Sequence, residues 1–212
     1  MKPPMPRRNS PRAFSLIELL VVIAIIALLA GLVVWLLPGV HAKKVRARVT
    51  TEMRTIEMAI KAYHAKHGFY PPDNPNSLTN TPLFYELTGT TRRTPPATPS
   101  ILFEDRDRFQ LPTNDIGTYF STSGFLNSDE AGSGADRNKY DFFPGAKTNT
   151  HYKAISGSPN VQVLTVPYKG PNGDFNPWRY NSSDPKHNTE GFDLWAEVVI
   201  SGETVVIGNW KD

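Results

Sequence analysis

Few residues in this chain of 212 have the type and spacing for chemistry, and the most conspicuous is a single acid, Glu18. It stands at the lip of Leu19–Leu37, a run of nineteen residues without a charged or polar side chain. A carboxylate in such a setting is costly, on the order of 3 kcal/mol at the centre of a bilayer, so it calls for a partner. Other candidates are weaker. His64 and His67 lie three apart but lack a nearby acid, which suits a solvated helix end better than a metal site. Asp105, Asp107 and Asp115 gather loosely, with Arg106 and Arg108 between them, and read as a solvated loop. Nucleophile-elbow, P-loop and zincin patterns are absent, and with no cysteine, thiolate catalysis, thiolate metal sites and disulfides are excluded. Trp178, Trp195 and Trp210 fall in strand-like segments and read as core. No catalytic constellation emerges, and the expectation is that the chain is not an enzyme. An anchored enzyme with its site in residues 73–175 stays open as an alternative.

The elements that position Glu18 follow from patterning. Residues 1–13 hold Lys2, Arg7, Arg8 and Arg12 and no acid, and read as a targeting leader. Residues 14–39 form an apolar helix; its nineteen-residue core spans about 28 Å, close to the ~30 Å thickness of bilayer hydrocarbon. Pro38-Gly39 predicts a kink or local break. From 40 to 67 the helix resumes as an amphipathic stalk. Val45, Val49, Met53, Ile56, Ile60 and Tyr63 share one stripe, opposite Arg46, Arg54, Glu57 and Lys61. Gly68 and Pro71-Pro72 end it.

Residues 68–212 make a globular head. A loop-rich insert, about 73–160, contains a short helix at Thr81–Leu87 closed by Gly89. Ile101–Phe103, Tyr119–Phe120 and Tyr140–Phe143 are anchors or short strands, and Ser128–Asn138 is an exposed loop. A sheet occupies about 161–212, with strands at Val161–Val166 and Trp178–Tyr180 around a Gly170-Pro171-Asn172-Gly173 turn. A hairpin, Phe192–Ile200 with Thr204–Trp210, follows. The expected fold is α+β, a long N-terminal helix packed on a small antiparallel sheet.

Charge is unevenly divided. Residues 40–67 carry a net +5 and residues 68–212 a net −5, so a basic stalk bears an acidic head that is a poor surface for nucleic acid. Complementary charges would add salt-sensitive lateral contacts between copies. Cations flank the apolar segment on both sides, so charge alone leaves its orientation nearly undecided. Three readings of the N-terminus compete: a plain signal anchor, a secretory signal cut after Ala42, and a third that rests on residue pattern.

Ala13-Phe14-Ser15-Leu16-Ile17-Glu18-Leu19-Leu20-Val21-Val22 resembles the prepilin junction of type IV pilins and type II secretion pseudopilins. The resemblance implies cleavage between Ala13 and Phe14 by prepilin peptidase, N-methylation of Phe14, and an assembly and processing role for Glu18. Ala13 stands where that family usually has Gly. The N-terminus would be cytoplasmic and the head periplasmic, on a single-pass inner-membrane helix. The Gly68-Phe69-Tyr70-Pro71 turn, Asn176–Asn181, Phe192–Trp195 and Ile207–Trp210 are similar to segments of G-type major pseudopilins. The likeness covers roughly residues 10–72 and 175–212. It implies a structural subunit, polymerised through its N-terminal helix into a periplasmic pseudopilus that drives protein export. Implied partners are other copies, other pseudopilins, prepilin peptidase and the inner-membrane assembly platform. The alternative is a type IV pilus subunit for adhesion, motility or DNA uptake. The resemblance to G-type pseudopilins also implies calcium, which they often bind in an Asp-containing loop between the last two strands. Here Ala196–Val206 holds Glu197 and Glu203 but no Asp, and no cofactor is expected.

Overall fold

The computed structural model describes residues 14–95, 101–131 and 140–210, with no side-chain description for 33–38 and 159. The leader 1–13, including Ala13, lies outside the described residues, as do 132–139 of the expected exposed loop.

The first element is α1 (Leu16–His67), 52 residues long. Its helical assignment continues through Pro38-Gly39, so the expected break is absent. Proline removes one backbone donor, which a long helix absorbs when its neighbours hold the ladder on either side. Among the described residues no helix is long and apolar enough to cross a membrane. The apolar run with described side chains is Leu16–Leu32, and residues 33–38, which continue it in the sequence, lie outside that description. The large side chains of Leu16–Leu32 are all exposed.

The chain divides into two compact units, one ending at Ala42 and the other beginning at Lys43. Within the second, the stripe behaves as its period requires: Val45, Val49, Met53, Ile56, Ile60 and Tyr63 are all buried, while Arg46, Arg54 and Lys61 are exposed. Gly68, at φ 81°, ends α1 and donates its N–H to the His64 carbonyl at 2.8 Å.

Next come α2 (Leu83–Thr88), every residue of it buried, and β1 (Thr90–Arg93), β2 (Leu102–Glu104) and β3 (Gln110–Pro112). Then follow α3 (Thr113–Phe120) and β4 (Ser128–Glu130). Strands β1–β4 form a sheet in the order β3-β2-β1-β4, with β4 parallel to β1 and the other pairs antiparallel. Two expectations are corrected here. Tyr119-Phe120 end a helix rather than sit in a strand, because Ile116 and Phe120, one turn apart, both bury on its inner face. Ser128–Glu130 is a strand rather than open loop, because Thr90 pairs with Ser128 and their hydroxyls lie 2.6 Å apart.

The rest is antiparallel. β5 (Tyr152–Ile155) pairs with β6 (Ser158–Leu164), and β7 (Arg179–Asn181), β8 (Asp193–Ile200) and β9 (Glu203–Gly208) form a three-stranded sheet. Leu194, Ala196, Val198 and Ile200 all bury, as alternation requires. Ser201 and Gly202, at φ 54° and 89°, close the β8–β9 hairpin with the two left-handed residues a tight turn of that twist needs. The described residues of the head thus form three small sheets where one is expected from sequence, because the insert supplies its own.

Candidate processing and assembly site

Ser15-Leu16-Ile17-Glu18 enters α1 as a capping box: Glu18 reaches back to accept the Ser15 backbone N–H at 3.3 Å. The carboxylate therefore sits over the positive end of the helix and satisfies one of its orphan donors. Phe14, just before this cap, is 80% exposed. Phe14 and Glu18 are thus four residues apart at one exposed helix start. The [ST]-x-x-[DE] spacing ahead of an apolar run is the signal in the sequence that identifies this second role of Glu18.

The other sequence candidates do not converge. The His64 ring stacks on Tyr70 at 4.3 Å and the His67 ring lies 4.4 Å from Tyr63, so each imidazole goes to its own aromatic neighbour. Burial holds His67 below the usual imidazole range, with Lys66 adding to the shift. Asp105 is buried and accepts the N–H groups of Asp107 and Phe109, both at 2.9 Å; burial pushes its carboxyl up to about 6. Asp107 accepts the Tyr152 hydroxyl at 2.6 Å. Asp115 lies in the first turn of α3 and joins neither. Among the described residues no group of three His, Cys, Asp or Glu is placed to hold a metal ion.

The two carboxylates of the C-terminal hairpin do not converge. Glu197 is paired to Arg179 at 3.0 Å, and its cross-strand neighbour is Val206. Glu203 pairs across from Ile200, which lies on the other face of β8, so the two carboxylates point to opposite sides of the sheet.

One acid that sequence reasoning leaves unremarked does substantial work inside the head. Glu86, in α2, is fully buried. Its Oε2 accepts the Tyr63 hydroxyl and the Asn127 N–H, both at 2.9 Å, and its Oε1 accepts the Leu126 N–H at 2.8 Å. Asn127 in turn donates to the Glu86 and Tyr140 carbonyls at 2.8 and 2.7 Å. Burial raises the Glu86 carboxyl above its ordinary value, and these three donors pull it back down. An acid inside the apolar Thr81–Leu87 stretch is the sequence signal for it.

Comparison with known proteins bears on the N-terminal end. Residues 8–34 match the family described as the prokaryotic N-terminal methylation motif. Over 65 residues the chain is 40% identical to a type II secretion system core protein G of Klebsiella michiganensis, covering 31% of this chain and 46% of that protein. The chain thus spans about half the length of the curated relative it matches. No solved structure gives a significant match. Motif and relative together make part of this chain similar to a G-type pseudopilin.

Proposed function

We propose that the chain is a structural subunit of a type II secretion pseudopilus. In this reading prepilin peptidase cuts between Ala13 and Phe14, Phe14 is N-methylated, and the mature chain is held in the inner membrane with its head in the periplasm. Copies then polymerise through the N-terminal helix, with other pseudopilins and the assembly platform, to move folded proteins outward. The role is mechanical, not catalytic.

One observation carries the reading. The helix that begins inside the methylation motif exposes every large side chain from Leu16 to Leu32. Each is worth about 1.5–3 kcal/mol when buried, so such a surface needs lipid or other copies to cover it. Glu18 then serves twice, as its own helix cap and as the charge that meets the Phe14 amine of a neighbour. A buried pair stripped of one partner costs roughly 3–5 kcal/mol, so the pair would set axial register.

Mass spectrometry of the mature N-terminus tests the processing: a methylated Phe14 is expected, and a start at Lys43 or an intact Met1 overturns it. Paired variants test the charge. Glu18→Gln keeps an acceptor for the Ser15 N–H and loses the charge, whereas Glu18→Ala loses both. Both are expected to insert and to fail in filament assembly; normal filaments from Glu18→Gln would reduce Glu18 to a helix cap.

A further inference from the structure

We infer that Lys43, Lys44 and Arg46 form a collar that binds the phosphates of anionic lipid headgroups. The inference rests on the membrane reading above and goes beyond it.

Residues 43–48 hold four cations and no acid. Lys43, Lys44, Arg46 and Arg48 are all exposed. Arg48 is committed to Glu52 at 2.8 Å, but the other three make no ion pair or hydrogen bond among the described residues. At about 100° per residue they spread over an arc of roughly 160° facing away from Val45 and Val49, which are buried. The buried stripe therefore holds these cations outward and keeps them from folding back onto the core.

Their distance along the chain suits a headgroup layer. Lys43 lies six helical steps beyond Leu37, about 9 Å, a gap its long side chain can reach back across. The polar layer on each side of a ~30 Å hydrocarbon core is about 5–8 Å thick. Cations on the outward end of a membrane helix also run against the usual cytoplasmic bias of Lys and Arg, so they need a counter-charge where they are. Phosphodiester groups supply it, with Arg able to bind two oxygens at once and Lys acting as a mobile point charge.

A second copy of the chain is the rival occupant, given the acidic head. Part of the head's acidity is already engaged within the head, which weakens this rival. Glu104, Glu130, Asp141, Asp174, Asp184 and Glu197 each lie beside a Lys or Arg of the head itself.

The test uses the full chain in nanodiscs of phosphatidylcholine with about one-third phosphatidylglycerol, and native mass spectrometry to count the lipids that stay bound. The ratio of bound phosphatidylglycerol to bound phosphatidylcholine should exceed the bulk ratio by about fivefold for each engaged cation at low salt. Lys43→Gln, Lys44→Gln and Arg46→Gln combined should return the ratio to bulk, whereas Arg54→Gln, further along the same helix, should leave it unchanged. Incorporation without enrichment, or enrichment that survives the triple change, overturns the collar and leaves the membrane reading standing. Failure of the chain to enter any bilayer overturns both. Salt-sensitive self-association in neutral detergent that the triple change abolishes overturns the lipid assignment in favour of a second copy.

Discussion

Removing one oxygen from the stalk tests how helix and head are joined. Tyr63→Phe deletes the hydroxyl that donates to Glu86 Oε2 at 2.9 Å and leaves the ring, which packs edge-on to Phe142 and Phe69 at 5.4 and 5.9 Å. No cavity larger than one oxygen forms, so the loss is close to that of a single hydrogen bond to a buried carboxylate, about 1.5–3 kcal/mol. For a head of this size that is roughly 3–12 °C in melting temperature. The pH dependence carries the sharper signature. Burial raises the Glu86 carboxyl, so ionising it in the folded head costs stability, and that cost grows as pH rises from the unfolded value through the raised folded one. The Tyr63 hydroxyl offsets part of this cost only while Glu86 is charged. At acidic pH the variant therefore loses a bond between neutral groups, about 1 kcal/mol, and at neutral pH it loses the larger amount. Guanidinium denaturation of both full chains in detergent, followed by near-UV circular dichroism of the buried Trp178, at pH 4.5, 6 and 7.5 would measure it. A loss below about 0.5 kcal/mol at pH 7.5, or a larger loss at pH 4.5 than at 7.5, refutes the coupling.

Other perturbations follow the same logic. Asp193 accepts the N–H groups of Lys186, His187 and Asn188 at 2.6–2.9 Å. Although burial works the other way, these donors hold its carboxyl below the usual range, so its contribution is present above the unfolded value near 4 and lost as pH falls through the folded one. Asp193→Asn turns an NH₂ toward those donors and should cost about 2–4 kcal/mol, opening the 182–192 loop to limited proteolysis. Asp105→Asn works in the opposite sense: the wild-type carboxyl at about 6 makes stability fall as pH climbs from about 4 to 6, by up to roughly 3 kcal/mol, and a pH-stability curve of the variant should lack that fall. Because the two carboxylates of the β8–β9 hairpin do not converge, a chelator should leave the melting temperature within about 1 °C; a drop of several degrees would show a site elsewhere.

The helix stripe and the C-terminal hairpin were legible because period 3.6 and period 2 are local properties of a chain, and Val45–Tyr63 and Leu194–Ile200 display them without interruption. The N-terminal junction was legible for a different reason, since a lone acid beside nineteen apolar residues is too costly to be accidental. The insert was not. β1 and β4 pair in parallel across nearly forty residues, and neither three- or four-residue strand carries a periodic signal of its own. α3 has only Ile116 and Phe120 to mark its inner face, which is too little to distinguish a two-turn helix from a pair of anchors. The charge totals were legible, but which acids are paired was not, because pairing depends on which side chains meet across strands, as Arg93 meets Glu104 and Arg179 meets Glu197.

The long middle of the chain poses less of a physical problem than its length suggests. Its outer ends are clamped: the Asp73 carboxylate accepts the Ser182 and Ser183 N–H groups at 2.9 and 3.0 Å, and the Tyr180 hydroxyl donates to the Pro71 carbonyl at 2.8 Å. An inner clamp joins Glu86 to Leu126 and Asn127, which closes the excursion carrying β1–β3 and α3. Closing a flexible loop costs about 0.6 kcal/mol for each doubling of its length, so forty residues in place of ten add only about 1.2 kcal/mol. One hydrogen bond to the buried Glu86 carboxylate is worth at least that much. Growth between the clamps is therefore nearly neutral for the stalk and the C-terminal sheet, provided the acids that close them stay. Asp73 and Glu86, not the sheet they enclose, are where the insert depends on the rest of the head.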